Sequence, residues 1–222
     1  MDLSSVKWLG HASFLIEDRK RMIYIDPYHL RGFDAPHADF VFITHGHYDH
    51  FSPEDIRRIA DANTHVVAPK DVAQKLGQEY PKVEAVEPGD EYSVGGLEFD
   101  TIPAYNVKKD RLHYHPRENG WVGYIIDFDN MPLYHAGDTD FVEEMHGLKP
   151  NLGLVPMGGT YTMDVDEAVE ASKAIDAKRI APMHYKALLG EQKSKEAEAL
   201  FKKNAKNGII LKEAIPPEAA SR

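Results

Sequence analysis

The chain has 222 residues, no cysteine and a formal net charge of −10. Without cysteine there is no disulfide bond, thiolate nucleophile, cysteine-bound zinc or iron–sulfur cluster, so any bound metal needs nitrogen and oxygen ligands. The acidic balance argues against a general binder of nucleic acids or anionic membranes, which needs positive surface. No apolar run reaches the length of a membrane span, and no signal peptide is visible at the N-terminus. We therefore expect a cytoplasmic protein.

The first half of the sequence contains short apolar runs that are separated by turns. Strands are predicted at residues 6–9, 13–16, 22–25, 40–44 and 66–68. Ser52 and Pro53 suit the N-cap and the first position of a helix. A second, shorter helix is predicted over residues 71–76 and ends at Gly77. This half therefore passes from consecutive strands to an alternation of strands and helices.

The second half repeats this rhythm. Strands are predicted at residues 91–94, 97–102, 122–128, 131–135, 152–155 and 179–183, with a hairpin turn at residues 129–130. Asp164 and Glu167 form a capping box that opens a helix through Ile175, and a charged helix covers residues 191–206. Residues 216–222 read as a frayed tail. With no long linker, the sequence predicts one α/β domain over residues 1–222, built from two packed sheets with helices outside.

A histidine-rich segment follows the strand predicted at residues 40–44. Three imidazoles and one carboxylate lie within six positions: His45, His47, Asp49 and His50. Because residues two apart point the same way in an extended segment, His45 and His47 can converge on one cation. Asp49 and His50 come after the chain turns and can reach a neighbouring cation. Imidazole and carboxylate ligands suit zinc, manganese or iron.

This pattern resembles the metallo-β-lactamase superfamily of hydrolases. Residues 134–140 resemble the segment that carries the family's metal-bridging aspartate, here Asp138, and residues 182–185 resemble the segment of its last metal histidine, here His184. The branch that the sequence resembles most includes ascorbate-6-phosphate lactonase and the phospholipase D that acts on N-acyl-phosphatidylethanolamine. The resemblance runs from Gly10 to Tyr185 and implies an αββα sandwich of two mixed sheets with helices outside.

One position departs from the pattern of that branch. The branch has a further metal histidine after a strand that ends in Pro-Ala, and here Asn106 occupies this place. An amide oxygen is a weaker zinc ligand than imidazole. Two candidates follow, His113 and His115, and we favour His115 because Pro116 would hold it in an extended geometry. The alternative is that both histidines line the substrate pocket without contacting metal.

The resemblance implies six metal ligands, and we add His115 as a seventh candidate; the six are His45, His47, Asp49, His50, Asp138 and His184. They suffice for two divalent ions, zinc or alternatively manganese, with Asp138 bridging. Such ions lower the pKa of bound water to roughly 7, so that hydroxide is available at neutral pH. We therefore predict a metal-dependent hydrolase that uses metal-bound hydroxide on an ester, lactone or phosphodiester of a small, anionic metabolite. Serine-hydrolase, P-loop and dinucleotide signatures are missing from the sequence.

Further polar residues are candidates for roles beside the metals. Asp49 is predicted to orient the attacking water, and His11 to act as an acid in the pocket, with a packed histidine as the alternative. Asp26 is predicted to accept a hydrogen bond from a ligand histidine, or else to serve as a turn residue. His135 is expected to have a structural or orienting role. The candidates for substrate binding are His113, Thr160, Tyr161 and Lys186.

Other functions stay open at this point. A metal-dependent nuclease or phosphodiesterase is the main enzymatic alternative, although the acidic balance disfavours a nucleic-acid partner. A metal-binding protein without turnover is another, and a redox protein with a di-iron centre is a third. The expected partner is a small-molecule substrate, and a homo-oligomer is an open possibility.

Overall fold

The computed structural model describes residues 3–215, which divide into two compact units. Within the described residues, the first unit comprises residues 3–86 and 212–215, and the second comprises residues 87–211. The single domain over residues 1–222 stays a prediction, and the predicted frayed tail lies outside the described residues. Among residues 3–215, no helix is both long enough and apolar enough to cross a membrane.

The first unit contains one six-stranded sheet in which the strands lie in chain order. The strands are β1 (Val6–Gly10), β2 (Ser13–Asp18), β3 (Arg21–Ile25), β4 (Phe40–Phe42), β5 (His65–Pro69) and β6 (Val83–Val86). The first three pair antiparallel, and β3 to β6 pair in parallel. All three residues of β4 are buried, as expected for a central strand that is covered on both faces.

Two short helices pack against this sheet, α1 (Pro53–Ile59) and α2 (Lys70–Leu76). Ser52 caps α1 as predicted, since its hydroxyl accepts a hydrogen bond from the backbone N–H of Asp55 at 3.3 Å. Ile56 of α1 and Val72 of α2 lie in the same buried cluster as Val41 of β4. The helices thus hold β4, and with it the start of the histidine-rich segment, in a packed core.

The second unit contains another six-stranded sheet, with the order β12-β11-β10-β9-β8-β7. Its strands are β7 (Glu91–Val94), β8 (Leu97–Pro103), β9 (Val122–Ile126), β10 (Leu133–His135), β11 (Leu152–Pro156) and β12 (Arg179–Met183). Strands β7 to β10 pair antiparallel, and β10 to β12 pair in parallel. Each sheet is therefore mixed, antiparallel first and parallel afterwards, which confirms the rhythm predicted for the two halves.

The local signals of the second unit are confirmed, with one correction. Asp129 and Asn130 have φ angles of +55° and +63°, as the predicted hairpin turn requires. Helix α3 (Val165–Ala174) begins with the predicted capping box. Helix α4 (Lys186–Asn204) begins five residues before the predicted start at 191, because a helical turn precedes Gly190, whose φ of +72° interrupts the helix.

Candidate metal centre

The candidate metal ligands of the first unit, and the residues that orient them, lie in loops at the carboxyl ends of β1, β3 and β4. Buried Asp26, one residue after β3, accepts three hydrogen bonds: from the backbone N–H of Thr44 at 2.7 Å, from the Thr44 hydroxyl at 2.6 Å and from His50 Nδ1 at 2.7 Å. The contact predicted for Asp26 is therefore present with His50, one of the candidate ligands. Asp26 has a φ of +46°, a strained conformation that these contacts hold in place.

These hydrogen bonds define which nitrogen of two histidines carries the proton. The single hydroxyl proton of Thr44 goes to Asp26, so the 2.9 Å contact between Thr44 Oγ1 and His45 Nδ1 has the imidazole as its donor. His50 likewise donates from Nδ1 to Asp26. In a neutral imidazole that is protonated at Nδ1, the lone pair is on Nε2. His45 and His50 are thus both prepared to bind a metal through Nε2.

His47 lies beside His45. The distance between His45 Nε2 and His47 Nδ1 is 3.0 Å. Two nitrogens bound to one tetrahedral zinc ion, at bond lengths of about 2.0–2.1 Å, lie roughly 3.3 Å apart. The separation of these two side chains therefore fits two ligands of the same ion.

His11 and Asp49 form a second contact in this unit. His11 lies in the turn between β1 and β2, with a φ of +51°, and its Nε2 is 2.9 Å from Asp49 Oδ2. The Trp8 indole donates to the backbone carbonyl of His11 at 2.9 Å and holds this turn. Ligand atoms of His11, Asp49 and His50 all lie within 4.8 Å of one another. We call His11, His45, His47, Asp49 and His50 the first donor set.

The second unit brings Asp138 and His184 together. Asp138 follows β10 and His184 directly follows β12, and because β10, β11 and β12 run in parallel, both lie at the same edge of the sheet. His184 Nε2 is 3.1 Å from Asp138 Oδ2, and both side chains are buried. His184 has a φ of +57°. Its carbonyl lies so close to Gly158 that a Cβ there would be 2.5 Å away, so only glycine fits.

His115 joins this pair, and Asn106 orients it. His115 Nε2 is 3.4 Å from Asp138 Oδ2, and its Nδ1 lies 2.9 Å from Asn106 Oδ1. The Asn106 amide nitrogen donates to Asp140 and to the carbonyl of Tyr161, both at 3.0 Å, which leaves its oxygen facing His115. His115 therefore carries its proton on Nδ1. We call His115, Asp138 and His184 the second donor set.

Two buried residues that the sequence reasoning missed hold the loop that contains Asn106. Asp140 accepts hydrogen bonds from the backbone N–H groups of Val107 and Lys108, at 2.8 and 3.0 Å, and lies 3.0 Å from the Arg111 guanidinium. Arg111 also binds both carboxylate oxygens of Glu167, at 2.8 and 2.9 Å. The only sequence signal was the position of Asp140, two residues after Asp138.

Glu167 is an ion-pair partner at the edge of this network. Burial acts to raise the pKa of its carboxyl, but hydrogen bonds from Lys108, the Asp164 backbone and Arg111 outweigh burial, so the pKa is lowered. Glu167 also completes the capping box of α3. The network thus ties the start of α3 to the loop before His115.

The remaining candidates lie outside the two donor sets. His113 is exposed, and its ring is tilted against that of Tyr114 with 3.9 Å between centroids; within residues 3–215 it belongs to no cluster of metal-binding side chains. Tyr161 is 36% exposed and packs edge-on against Tyr114. Thr160 is exposed, and the Lys186 amine lies 3.9 Å from Glu198. His135 is buried and accepts a hydrogen bond from the backbone of Gly137 at 3.2 Å.

The chemistry of both donor sets fits a divalent metal. They consist of imidazole nitrogens and carboxylate oxygens, which suit zinc and manganese and need no thiolate. Hydrogen bonds at Nδ1 leave Nε2 as the metal-binding atom of His45, His50 and His115. A mixed α/β fold with such side chains at strand ends is typical of the metallo-β-lactamase class of metal-dependent hydrolases.

Comparison with known proteins identifies the family. The profile of the β-lactamase superfamily domain matches residues 5–184, and the chain belongs to this family. A UPF0173 metal-dependent hydrolase of Pyrococcus horikoshii is 32% identical over 197 residues, which cover 81% of this chain and 84% of the relative. The protein is thus a metal-dependent hydrolase of the metallo-β-lactamase superfamily.

Solved structures agree on the fold. A candidate metal-dependent hydrolase from Parabacteroides distasonis has a TM-score of 0.81 at 29% identity, over 94% of this chain and 92% of that chain. Igni18, a metallo hydrolase of Ignicoccus hospitalis, has a TM-score of 0.74 at 24% identity, over 95% of each chain. The predicted fold class, two mixed sheets with helices in an α/β metallo-β-lactamase fold, is confirmed.

Proposed function

We propose that the second donor set and, in the first donor set, His45, His47, Asp49 and His50 are metal ligands, and that the enzyme hydrolyses an ester, lactone or phosphodiester of a small, anionic metabolite. The observation that carries this proposal is the pair of hydrogen bonds that leaves the lone pairs of His45 and His50 on Nε2. Metal-bound histidines almost always donate their other ring N–H to an oxygen acceptor, as His45 and His50 do here. The family resemblance implies the other six ligands, and His115 is our addition; we propose two ions per chain, with zinc or manganese as the metal.

The protein's own residues would then share the work of hydrolysis. When bound, the ions supply a water molecule whose pKa is lowered to about 7. Asp49 orients the attacking water, and His11, 2.9 Å from Asp49, holds this carboxylate or gives a proton to the leaving group. Asp26 and Asn106 orient ligand histidines through Nδ1. These hydrogen bonds allow the ligands to stay in position as charge shifts during the reaction.

The residues that contact the substrate are a separate part of the proposal. We keep His113, Thr160, Tyr161 and Lys186 as its binding residues, since all four retain exposed surface. Lys186 supports an anionic substrate, because it places a positive charge two residues after His184. A nuclease or phosphodiesterase remains the alternative substrate class. The cytoplasmic location and a homo-oligomer stay predictions.

Metal analysis together with a substrate panel tests the proposal. The protein is stripped with chelator, reconstituted with zinc or manganese, and assayed on a nitrophenyl ester, a lactone, a bis-aryl phosphate and single-stranded DNA. We expect stoichiometric metal and hydrolysis, and we expect His47→Ala and Asp138→Ala to lose both. The exposed His37 and His146 provide matched controls as alanine variants. Retention of less than about one tenth of an ion per chain would refute the proposal.

A further inference from the structure

A pocket of about 400 Å³ lies within the first unit, next to the first donor set. Its lining residues are Tyr28, His29, Arg31, Tyr48, Ser52, Glu54 and Asp55. Tyr48 stands between His47 and Asp49 in the sequence, and the Tyr28 ring lies 6.0 Å from the His11 ring. The volume is within the range of small-molecule sites. None of these lining residues is explained by metal binding.

Aromatic rings form the walls of this pocket. Tyr28 and Tyr48 meet edge to face with 6.2 Å between ring centroids, and His29 stacks on Tyr28 at 3.8 Å. Tyr48 is 77% exposed, the highest value among the large hydrophobic side chains of the described residues. A ring that is held beside other rings but left open to solvent offers its surface to a ligand. The walls therefore favour a planar aromatic group.

The pocket is held in its shape by Asp55. This buried carboxylate accepts hydrogen bonds from the backbone N–H groups of His29 and Leu30, at 2.8 and 3.0 Å, and from the Ser52 hydroxyl at 2.8 Å. His29 has a φ of +54°, an unfavourable conformation for a residue with a side chain. Strain that is held by a buried carboxylate is typical of a preformed binding loop, and a preformed site loses less entropy on binding.

Arg31 supplies positive charge at the rim. It forms an ion pair with Glu54 at 3.6 Å, and both side chains are mostly exposed, at 66% and 74%. Exposed ion pairs contribute little free energy, and a planar guanidinium can bind a carboxylate or phosphate group with two parallel hydrogen bonds. Asp55, the other acid of the pocket, is already committed to backbone groups.

We propose that this pocket binds the aromatic ring of an anionic aryl ester, with Tyr28 and Tyr48 contacting the ring and Arg31 attracting an acidic group on it. The inference rests on the proposed function, because it names the substrate class of the same enzyme. The experiment below decides whether this is an ester of a carboxylic or of a phosphoric acid. The ring places the ester next to His11 and Asp49, which belong to the first donor set.

Binding of phosphonates to the full-length, zinc-reconstituted protein tests the pocket apart from turnover, because their carbon–phosphorus bond is not an ester. Titration calorimetry compares phenylphosphonate with methylphosphonate, so the contribution of the shared phosphonate cancels in the ratio. We expect the phenyl compound to bind about tenfold more tightly. Tyr48→Ala should bring the ratio close to one, Tyr48→Phe should keep it, and Leu200→Ala, which changes an exposed side chain of α4, should leave it unchanged.

Two further arms define the ligand. A carboxylate on the phenyl ring should tighten binding several-fold in the wild type and not in Arg31→Gln. A comparison of benzoate with acetate gives the same phenyl-to-methyl affinity ratio for carboxylic acids. If this ratio is larger than the one for phosphonates, the substrate is an ester of a carboxylic acid; if it is smaller, the substrate is an ester of phosphoric acid. A phenyl-to-methyl ratio near one, or a ratio that Tyr48→Ala leaves intact, overturns the inference even if esters are hydrolysed. A high ratio in a protein that hydrolyses nothing supports the pocket and refutes the proposed function.

Discussion

Replacement of Asp26 by asparagine should weaken metal binding by reversing the protonation of two histidines. If the new amide keeps its oxygen on the Thr44 N–H, its nitrogen faces the Thr44 hydroxyl and His50 Nδ1, which Asp26 Oδ2 contacts at 2.6 and 2.7 Å. The hydroxyl must then accept from the amide and donate its proton to His45 Nδ1. Both histidines become protonated on Nε2, the atom that is needed for the metal.

The size of this effect follows from the number of ligands involved. Loss of one hydrogen-bond partner behind a metal ligand costs about 10- to 100-fold in metal affinity. Since Asp26 acts on His50 directly and on His45 through Thr44, we expect the upper end, about 100-fold or roughly 2.7 kcal/mol. The full loss of affinity can be attributed to the metal site only if the variant still folds. Circular dichroism checks whether it does.

Competition with a chromogenic chelator measures the zinc affinity of Asp26→Asn, and long-range nitrogen–proton NMR spectra report which ring nitrogen is protonated in each histidine. The control is Asp39→Asn, which removes another carboxylate of the first unit that accepts a backbone hydrogen bond, from Met22 at 2.7 Å. Wild-type affinity in Asp26→Asn, or reduced affinity with both histidines still protonated on Nδ1, would contradict this reasoning.

Three other predictions concern the second unit. Asn106→Ala removes the acceptor of His115 Nδ1 and should lower zinc affinity about tenfold, measured by the same competition. Gly158→Ala puts a Cβ 2.5 Å from the carbonyl of His184 and should cost about 1–3 kcal/mol of unfolding free energy, measured with urea. Because the pKa of Glu167 is lowered by folding, its ion pairs stabilise the protein above the ordinary carboxyl pKa, and this stability is lost as the pH falls through the lowered value. Glu167→Gln should therefore flatten the acid side of the stability profile.

Each of these predictions has an outcome that would contradict it. His146→Ala, an exposed histidine of the same unit, is the control for Asn106→Ala, and equal affinities in the two variants would mean that the amide does not orient His115. An unchanged unfolding midpoint in Gly158→Ala would show that the backbone relaxes around the new methyl group. An acid profile in Glu167→Gln identical to that of the wild type would exclude the carboxyl as a contributor.

Local signals were sufficient for most of the fold. The Ser52 cap, the capping box of Asp164 and the hairpin turn at residues 129–130 depend on neighbours within four positions, and all three are confirmed. Strand β6 was missed because two of its four residues are exposed, so no apolar run marks it. The helical turn before Gly190 was missed because glycine there was taken as the boundary of the helix, whereas it only interrupts it.

The candidate ligands could be predicted from the sequence, but of the residues that orient them only Asp26 was predicted. The spacing of His45, His47, Asp49 and His50 is local, whereas Asp26 meets Thr44 across 18 positions and Asn106 meets Asp140 across 34. An asparagine in place of a histidine could be recognised in the sequence as a departure, but its role as the acceptor for His115 depends on a loop held by Asp140, which no pattern indicates.

Backbone strain explains why the contacts that hold these residues in place matter. His11, Asp26 and His184 all have φ angles between +46° and +57°, which cost about 1–3 kcal/mol each for residues with side chains. Asp and His adopt positive φ more readily than most residues, and contacts from elsewhere hold two of the three in place: Trp8 at His11, and Thr44 with His50 at Asp26. The contacts of Asp26 also orient the imidazoles of His45 and His50, so a substitution that relaxes the strain at Asp26 should also release these two candidate ligands.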